Sequence, residues 1–114
     1  MSRDYRLYLE DIIESSDKVQ RYIKGLEYEK FASDEMVMDA VVRNLEVIGE
    51  AAKNIPPAVK KKHPEIEWKK VVGLRDIIAH GYFGVNTRII WDIVINKVPE
   101  VKNSAKKILK EADK

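Results

Sequence analysis

Cysteine is absent from the 114 residues, and aromatic residues make up only 8% of them. Without thiols the chain can neither be held by disulfides nor bind zinc through thiolates, and a reducing cytoplasm suits it. Glycine, with five residues, and proline, with four, are scarce and gather at boundaries, which leaves the stretches between them free to run as helix. No uninterrupted apolar run reaches membrane-spanning length, and the opening MSRDYRLYLEDIIESSDK carries charges every few residues. Neither membrane insertion nor secretion is expected from that pattern. An excess of one charge is missing too, since 21 basic residues face 19 acidic ones for a net charge of +2. Such a chain does not grip long nucleic acid by its overall field, so any contact with RNA or DNA must be local. What is present, 45% hydrophobic and 35% charged residues, suits one folded domain over residues 1–114.

Apolar residues recur at helical and not at strand spacing, so the expected class is all-α, an antiparallel bundle of four to five helices. Tyr5, Leu9, Ile12, Ser16, Val19, Ile23 and Leu26 alternate steps of three and four with one polar interruption at Ser16, and this first helix stops near Gly25. The connection EYEKFASDE leads to Ser33 or Asp34 as cap of the second helix, with Glu35 and Asp39 at its positive end. There Met38, Val41, Leu45, Ile48, Ala52 and Ile55 form one stripe, and Val37, Ala40, Asn44, Val47 and Ala51 a second, leaving Arg43, Glu46, Glu50 and Lys53 as a charged ridge. Two apolar faces want two partners, the first helix and, in a chain this short, the same helix of a second subunit, so a two-fold homodimer is expected. Gly49 inside this helix costs about 1 kcal/mol relative to alanine, which close helix approach would explain. Pro56 and Pro57 end the helix, AVKKKHPEIEW makes at most a short segment, and Trp68 to Ala79 reads as a third substantial helix ended by Gly81. Asn86 or Thr87 then caps a long last helix with a bend or brief break forced by Pro99. Trp91 and Tyr22 fall at helical spacing and read as packing residues rather than as stacking platforms for bases.

Chemistry concentrates in LRDIIAHGYFG, from Leu74 to Gly84, where Arg75, Asp76, one of only two histidines (His80) and the phenol of Tyr82 lie within eight residues. On an ideal helix Arg75 and His80 are about 140° apart around the axis, so both reach one site only if the helix ends near His80 or two chains combine. Asp76 and His80 are four apart, which lets the carboxylate fix the imidazole. Arginine and histidine together suit metal-free phosphodiester chemistry on RNA: the histidine moves protons to or from the 2′-hydroxyl and the leaving oxygen, and the arginine stabilises charge on phosphorus. The plain alternative pairs Arg75 with a surface acid and leaves His80 as a helix end. Asn44, an amide in an apolar stripe, either hydrogen-bonds across the bundle or points into a cleft. Arg43 and Glu50 read as a solvated, salt-bridged face. Lys60, Lys61, Lys62, His63, Lys69 and Lys70, interleaved with Trp68, form the one concentrated basic stretch, which reads as a solvated face rather than as a surface steering RNA phosphates toward a cleft, and His63 beside Pro64 reads as structural. The two histidines, seventeen residues apart with no histidine-carboxylate motif, do not make a metal site.

The string R-x4-H-x-Y at Arg75, His80 and Tyr82 occurs with AVVRNLEVIGEAA (40–52), KKHPEIEWKKVVGLRDIIAHGYFGV and DIV-x3-VPEVK. In this order and separation the motifs resemble the HepT-like branch of the HEPN superfamily over nearly the whole chain. That resemblance implies an all-helical homodimer with its R-x4-H motifs in a cleft at the dimer interface, and metal-independent ribonuclease activity without a cofactor. It makes Arg75 the phosphate-binding, transition-state-stabilising residue and His80 the general acid or base, with Asp76 orienting His80. It makes Tyr82 the site where a partner minimal nucleotidyltransferase, MntA, attaches AMP and silences a toxin, so the implied partners are RNA, that antitoxin and a second copy of the chain. The competing expectation keeps the fold without catalysis, as a module that binds a nucleotidyltransferase and nucleotide; a purely structural dimer would bind neither.

Overall fold

The computed structural model describes residues 3–76 and 87–112, all of whose regular structure is helical. Helix α1 (Tyr5–Ile23) starts where the Asp4 carboxylate accepts the Arg6 backbone N–H at 3.0 Å. It buries Leu9, Ile12, Ser16 and Val19, the stripe its spacing predicted. Just past its end Gly25 takes φ +79°, a left-handed conformation that a side chain would strain.

The stretch read as a mere connection contains a short helix, α2 (Tyr28–Ser33). It exists because Phe31 is wholly buried, its ring 5.0 Å from that of Trp91, so tertiary burial rather than local propensity organises it. Trp91 is thus a packing residue as expected, whereas Tyr22 is not: it stays exposed at the end of α1. Of the two candidate caps, Asp34 accepts the Val37 N–H at 3.1 Å, while the Ser33 hydroxyl turns back to the Lys30 carbonyl.

Helix α3 (Glu35–Lys53) is the centre of the core, burying Met38, Val41, Leu45, Ile48 and Ala52. It packs along α1 and also against α5 (Trp68–Val72), while Val47 and Ala51 of its second stripe line an open cleft. Between them Pro57 opens the short helix α4 (Pro57–Lys62). His63 follows it, buried, with its ring nitrogens 3.4 Å from carboxylate oxygens of Glu65 and Glu111 and its carbonyl accepting the Trp68 indole N–H at 3.0 Å. These bonds fit the structural part read for it.

The expected helix from Trp68 onward is interrupted after one turn: α5 stops at Gly73, and residues 74–76 are helical again. The rest of that expected helix lies outside the described residues. After it come α6 (Thr87–Asp92), a π-helical turn over Ile93–Lys97, and α7 (Val98–Ala112), one uninterrupted rod. The disturbance expected from Pro99 is this π turn, in which the Val98 N–H reaches back five residues to the Ile93 carbonyl. A proline lacks the N–H that the regular ladder needs, and the wider turn just ahead absorbs the mismatch without breaking the helix.

One core position carries a polar cost. The Ser16 hydroxyl is wholly buried with no hydrogen-bond partner among the described residues. Burying an unpaired hydroxyl costs about 1–3 kcal/mol, so Ser16→Ala is expected to raise stability by about 1 kcal/mol, read as a higher denaturation midpoint in urea. An unchanged or lower midpoint would mean that the hydroxyl has a partner in solution. No helix among the described residues is long and apolar enough to cross a membrane.

Candidate active site

Arg75 owes its position to a contact between backbones. A Cβ built on Gly49 would stand 3.2 Å from the Arg75 backbone nitrogen and 3.4 Å from the carbonyl oxygens of Val71 and Val72. The absent side chain lets α5 and the 74–76 turn settle directly on α3, which is the close approach its place in the helix suggested. Leu74 is buried and anchors the turn, so the next two residues, Arg75 and Asp76, face outward.

The Arg75 guanidinium donates from Nη1 to Glu50 Oε2 at 2.9 Å. Both side chains remain about half exposed, at 54% and 52%. They stand in a cleft of about 380 Å³ whose walls come from the start of α1, from α3 and from the 74–76 turn. Tyr8, Val47 and Ala51 contribute its less polar surface. Its charged lining consists of three arginines, each paired with its own acid. Arg3 holds Asp11 at 2.6 Å and lies over the Tyr8 ring, 4.9 Å from its centroid; Arg43 meets Glu46 at 3.9 Å; Arg75 holds Glu50. The hydrogen bond to Asp11 pushes the Arg3 pKa further above its ordinary value.

All three pairs are substantially exposed and therefore weak, since water screens them and ordering the side chains offsets their attraction. Weak pairs exchange readily. Guanidinium binds phosphate oxygens in the same forked geometry as carboxylate, so this lining can trade its own acids for a phosphodiester without moving backbone.

The other expected site residues divide clearly. Asp76 is exposed next to Arg75. His80 and Tyr82 lie outside the described residues. The Asn44 amide makes no bond across the bundle: it donates to the Ala40 carbonyl of its own helix at 2.8 Å, and the residue is absent from the lining around Arg75. Instead it borders a neighbouring depression. The basic stretch is absent from the lining too. Lys70 pairs with Glu67 at 2.6 Å and Lys60 lies over the Trp68 ring, so these lysines form a salt-bridged and solvated surface.

In the sequence Arg43 and Glu50 look like an ordinary charged face, and Arg3 and Asp11 carry no signal at all. The three- and four-residue steps from Arg43 through Glu46 to Glu50 put them on one side of α3, and Gly49 marks where another backbone lands; together these two signs locate the wall of the cleft.

The family model described as "Ribonuclease HepT-like" matches residues 12–108. A protein of Caldanaerobacter subterraneus subsp. tengcongensis, an RNase by provisional name, is 42% identical over 106 residues, covering 93% of this chain and 95% of its own. A Methanocaldococcus jannaschii protein, also provisionally named an RNase, is 41% identical over 111 residues, with 97% and 92% covered. A "Probable ribonuclease HepT" of Thermococcus cleftensis is 40% identical over 110 residues, with 96% and 100% covered. No solved structure matches the chain.

Proposed function

The chain belongs to the HepT-like ribonuclease family of the HEPN superfamily, and from that membership together with the cleft around Arg75 we propose that it is a metal-independent RNA endonuclease, the toxin of a HepT/MntA-type toxin–antitoxin pair in the cytoplasm. The observation that supports this best is the Arg75 guanidinium itself, fixed by a turn seated on Gly49, half exposed in a cleft and paired with an exchangeable acid.

In the proposed reaction Arg75 binds the non-bridging oxygens of the scissile phosphate and holds the charge that builds there. His80 takes the proton as the 2′-hydroxyl oxygen bonds to phosphorus, and the P–O5′ bond breaks as a proton reaches the departing oxygen. A second pass through the same imidazole, or the matching one of a second copy, supplies that proton. The products are a 2′,3′-cyclic phosphate and a 5′-hydroxyl, and DNA is excluded because it lacks the attacking group. The side chains needed are an arginine and a histidine, with Asp76 orienting the latter. A homodimer places two such motifs in one cleft.

Tyr82, two residues from His80, is the proposed acceptor of AMP from the partner nucleotidyltransferase. Its phenolate oxygen attacks the α-phosphorus of ATP, diphosphate leaves, and the added nucleotide fills the place of the RNA phosphate with like charge. Co-expression with an MntA-type nucleotidyltransferase, followed by intact-mass measurement, tests this. Wild type gains the mass of one or more AMP units and loses toxicity, whereas Tyr82→Phe stays unmodified and toxic. AMP found on Tyr82→Phe, or rescue of the cells without modification, would overturn this mode of neutralisation.

A further inference from the structure

The Arg75 cleft does not end at Arg43. A second depression of about 310 Å³ adjoins it, and Asp11, Arg43 and Val47 line both. Arg43 therefore stands on the seam between them. Its side chain is 75% exposed and its acid, Glu46, is 3.9 Å away, the loosest of the three arginine–acid pairs in the cleft. Beyond the seam the depression is bordered by Lys18 and Tyr22. Tyr22, 37% exposed at the end of α1, shares this lining with the cations of Arg43 and Lys18, the latter 3.5 Å from Glu14, and with Asp11.

A partly open aromatic ring that shares a depression with Arg43, next to the cleft that holds Arg75, offers what single-stranded nucleic acid requires: a charge for the next phosphate and a face on which a base stacks. Building on the ribonuclease function proposed above, we propose that Arg43 and Tyr22 form a subsite for the nucleotide flanking the scissile bond, with Arg43 binding its phosphate and Tyr22 stacking its base, so that the substrate is an unpaired RNA segment. Glu46 competes with that phosphate for Arg43, which makes it a brake on binding. Neither Arg43 nor Tyr22 touches the reacting atoms; both act on affinity. A base stacked in a duplex cannot turn its face to Tyr22, so a duplex of the same sequence fits poorly.

The test uses the full chain and a fluorescent single-stranded 2′-O-methyl RNA, which binds but lacks the attacking hydroxyl, with anisotropy read across a series of salt concentrations. Arg43→Gln is expected to weaken binding about tenfold at low salt, equally for different sequences, and to reduce the slope of log K against log salt by about 0.7, the value for one phosphate on a single strand. Tyr22→Ala is expected to weaken binding roughly tenfold and Tyr22→Phe to restore it, because the ring and not the hydroxyl stacks. Glu46→Gln is expected to tighten binding, and Lys110→Gln, a like loss of charge at the exposed end of α7, to have no effect. On cleavable RNA, Arg43→Gln raises KM several-fold with kcat little changed. An unaltered salt slope in Arg43→Gln, equal loss in Tyr22→Phe and Tyr22→Ala, or equal affinity for duplex would overturn the subsite. Failure of wild type to bind overturns it as well. Binding that depends on Arg43 and Tyr22 without any cleavage of ordinary RNA would leave the subsite standing and overturn the ribonuclease function.

Discussion

Arg75→Ala is expected to slow RNA cleavage by about 10²–10³-fold, the usual loss when one preorganised donor to a developing oxyanion is removed. The protein should stay folded. Arg75 is half exposed, it pairs with an acid, Glu50, that is itself half exposed, and the acid left behind is solvated by water rather than stranded in the core. Arg75→Lys is expected to recover little of the rate, because a single ammonium cannot reproduce two parallel N–H bonds to a phosphate. Single-turnover cleavage with thermal melting alongside separates the two effects. A variant that melts like wild type and cleaves at the wild-type rate would remove Arg75 from the mechanism.

Gly49→Val should damage stability and activity together. The atoms that a side chain would meet are backbone nitrogen and carbonyl oxygens of the Val71–Arg75 stretch at 3.2–3.4 Å, and backbone cannot swing aside as a flexible side chain does. Overpacking of this kind costs about 1–3 kcal/mol. For a domain of this size that corresponds to a fall in Tm of roughly 5–15 °C. Relief comes from moving α5 and the 74–76 turn away from α3, which carries Arg75 off Glu50 and out of register with the cleft. Gly49→Ala meets the same three atoms with only one carbon and gains back about 1 kcal/mol of helix propensity, so it is expected to fall between wild type and valine. The checks are a melting curve and a cleavage rate for each variant. Wild-type melting of Gly49→Val would contradict the tight seat described for Arg75.

Those two residues also show what could be read from the chain before its structure. The long helices are legible because their burial is periodic: the stripe on α1 and the first of the two on α3 coincide largely with buried residues, and the glycine in α3 announces a close approach, whereas Val37, Ala40 and Val47 of the second stripe stay partly open. Helix α2 was not legible, because its stability comes from Phe31 meeting Trp91 some sixty residues away, and local sequence holds no trace of that partner. The π turn lay hidden for a related reason: Pro99 signals a missing N–H, but whether the chain breaks, bends or widens is decided by the packing around it. At the site, Arg75 stood out because it belongs to a spaced motif. Its neighbours Arg3, Asp11 and Arg43 did not, since charged residues on helix surfaces look alike until the fold brings them to one cleft. Asn44 attracted attention as a polar residue in an apolar stripe, yet its amide is satisfied by the carbonyl one turn back, an option that periodicity alone does not weigh.

The most direct test of the central claim, that this chain cleaves RNA by its own side chains, is incubation of the AMP-free protein with a transfer-RNA pool in EDTA, wild type beside His80→Ala. Wild type is expected to cleave in the chelator, leaving 2′,3′-cyclic phosphate and 5′-hydroxyl ends, and His80→Ala is expected to lose that cleavage. Cleavage that stops in EDTA, or continues at the wild-type rate in His80→Ala, would contradict it.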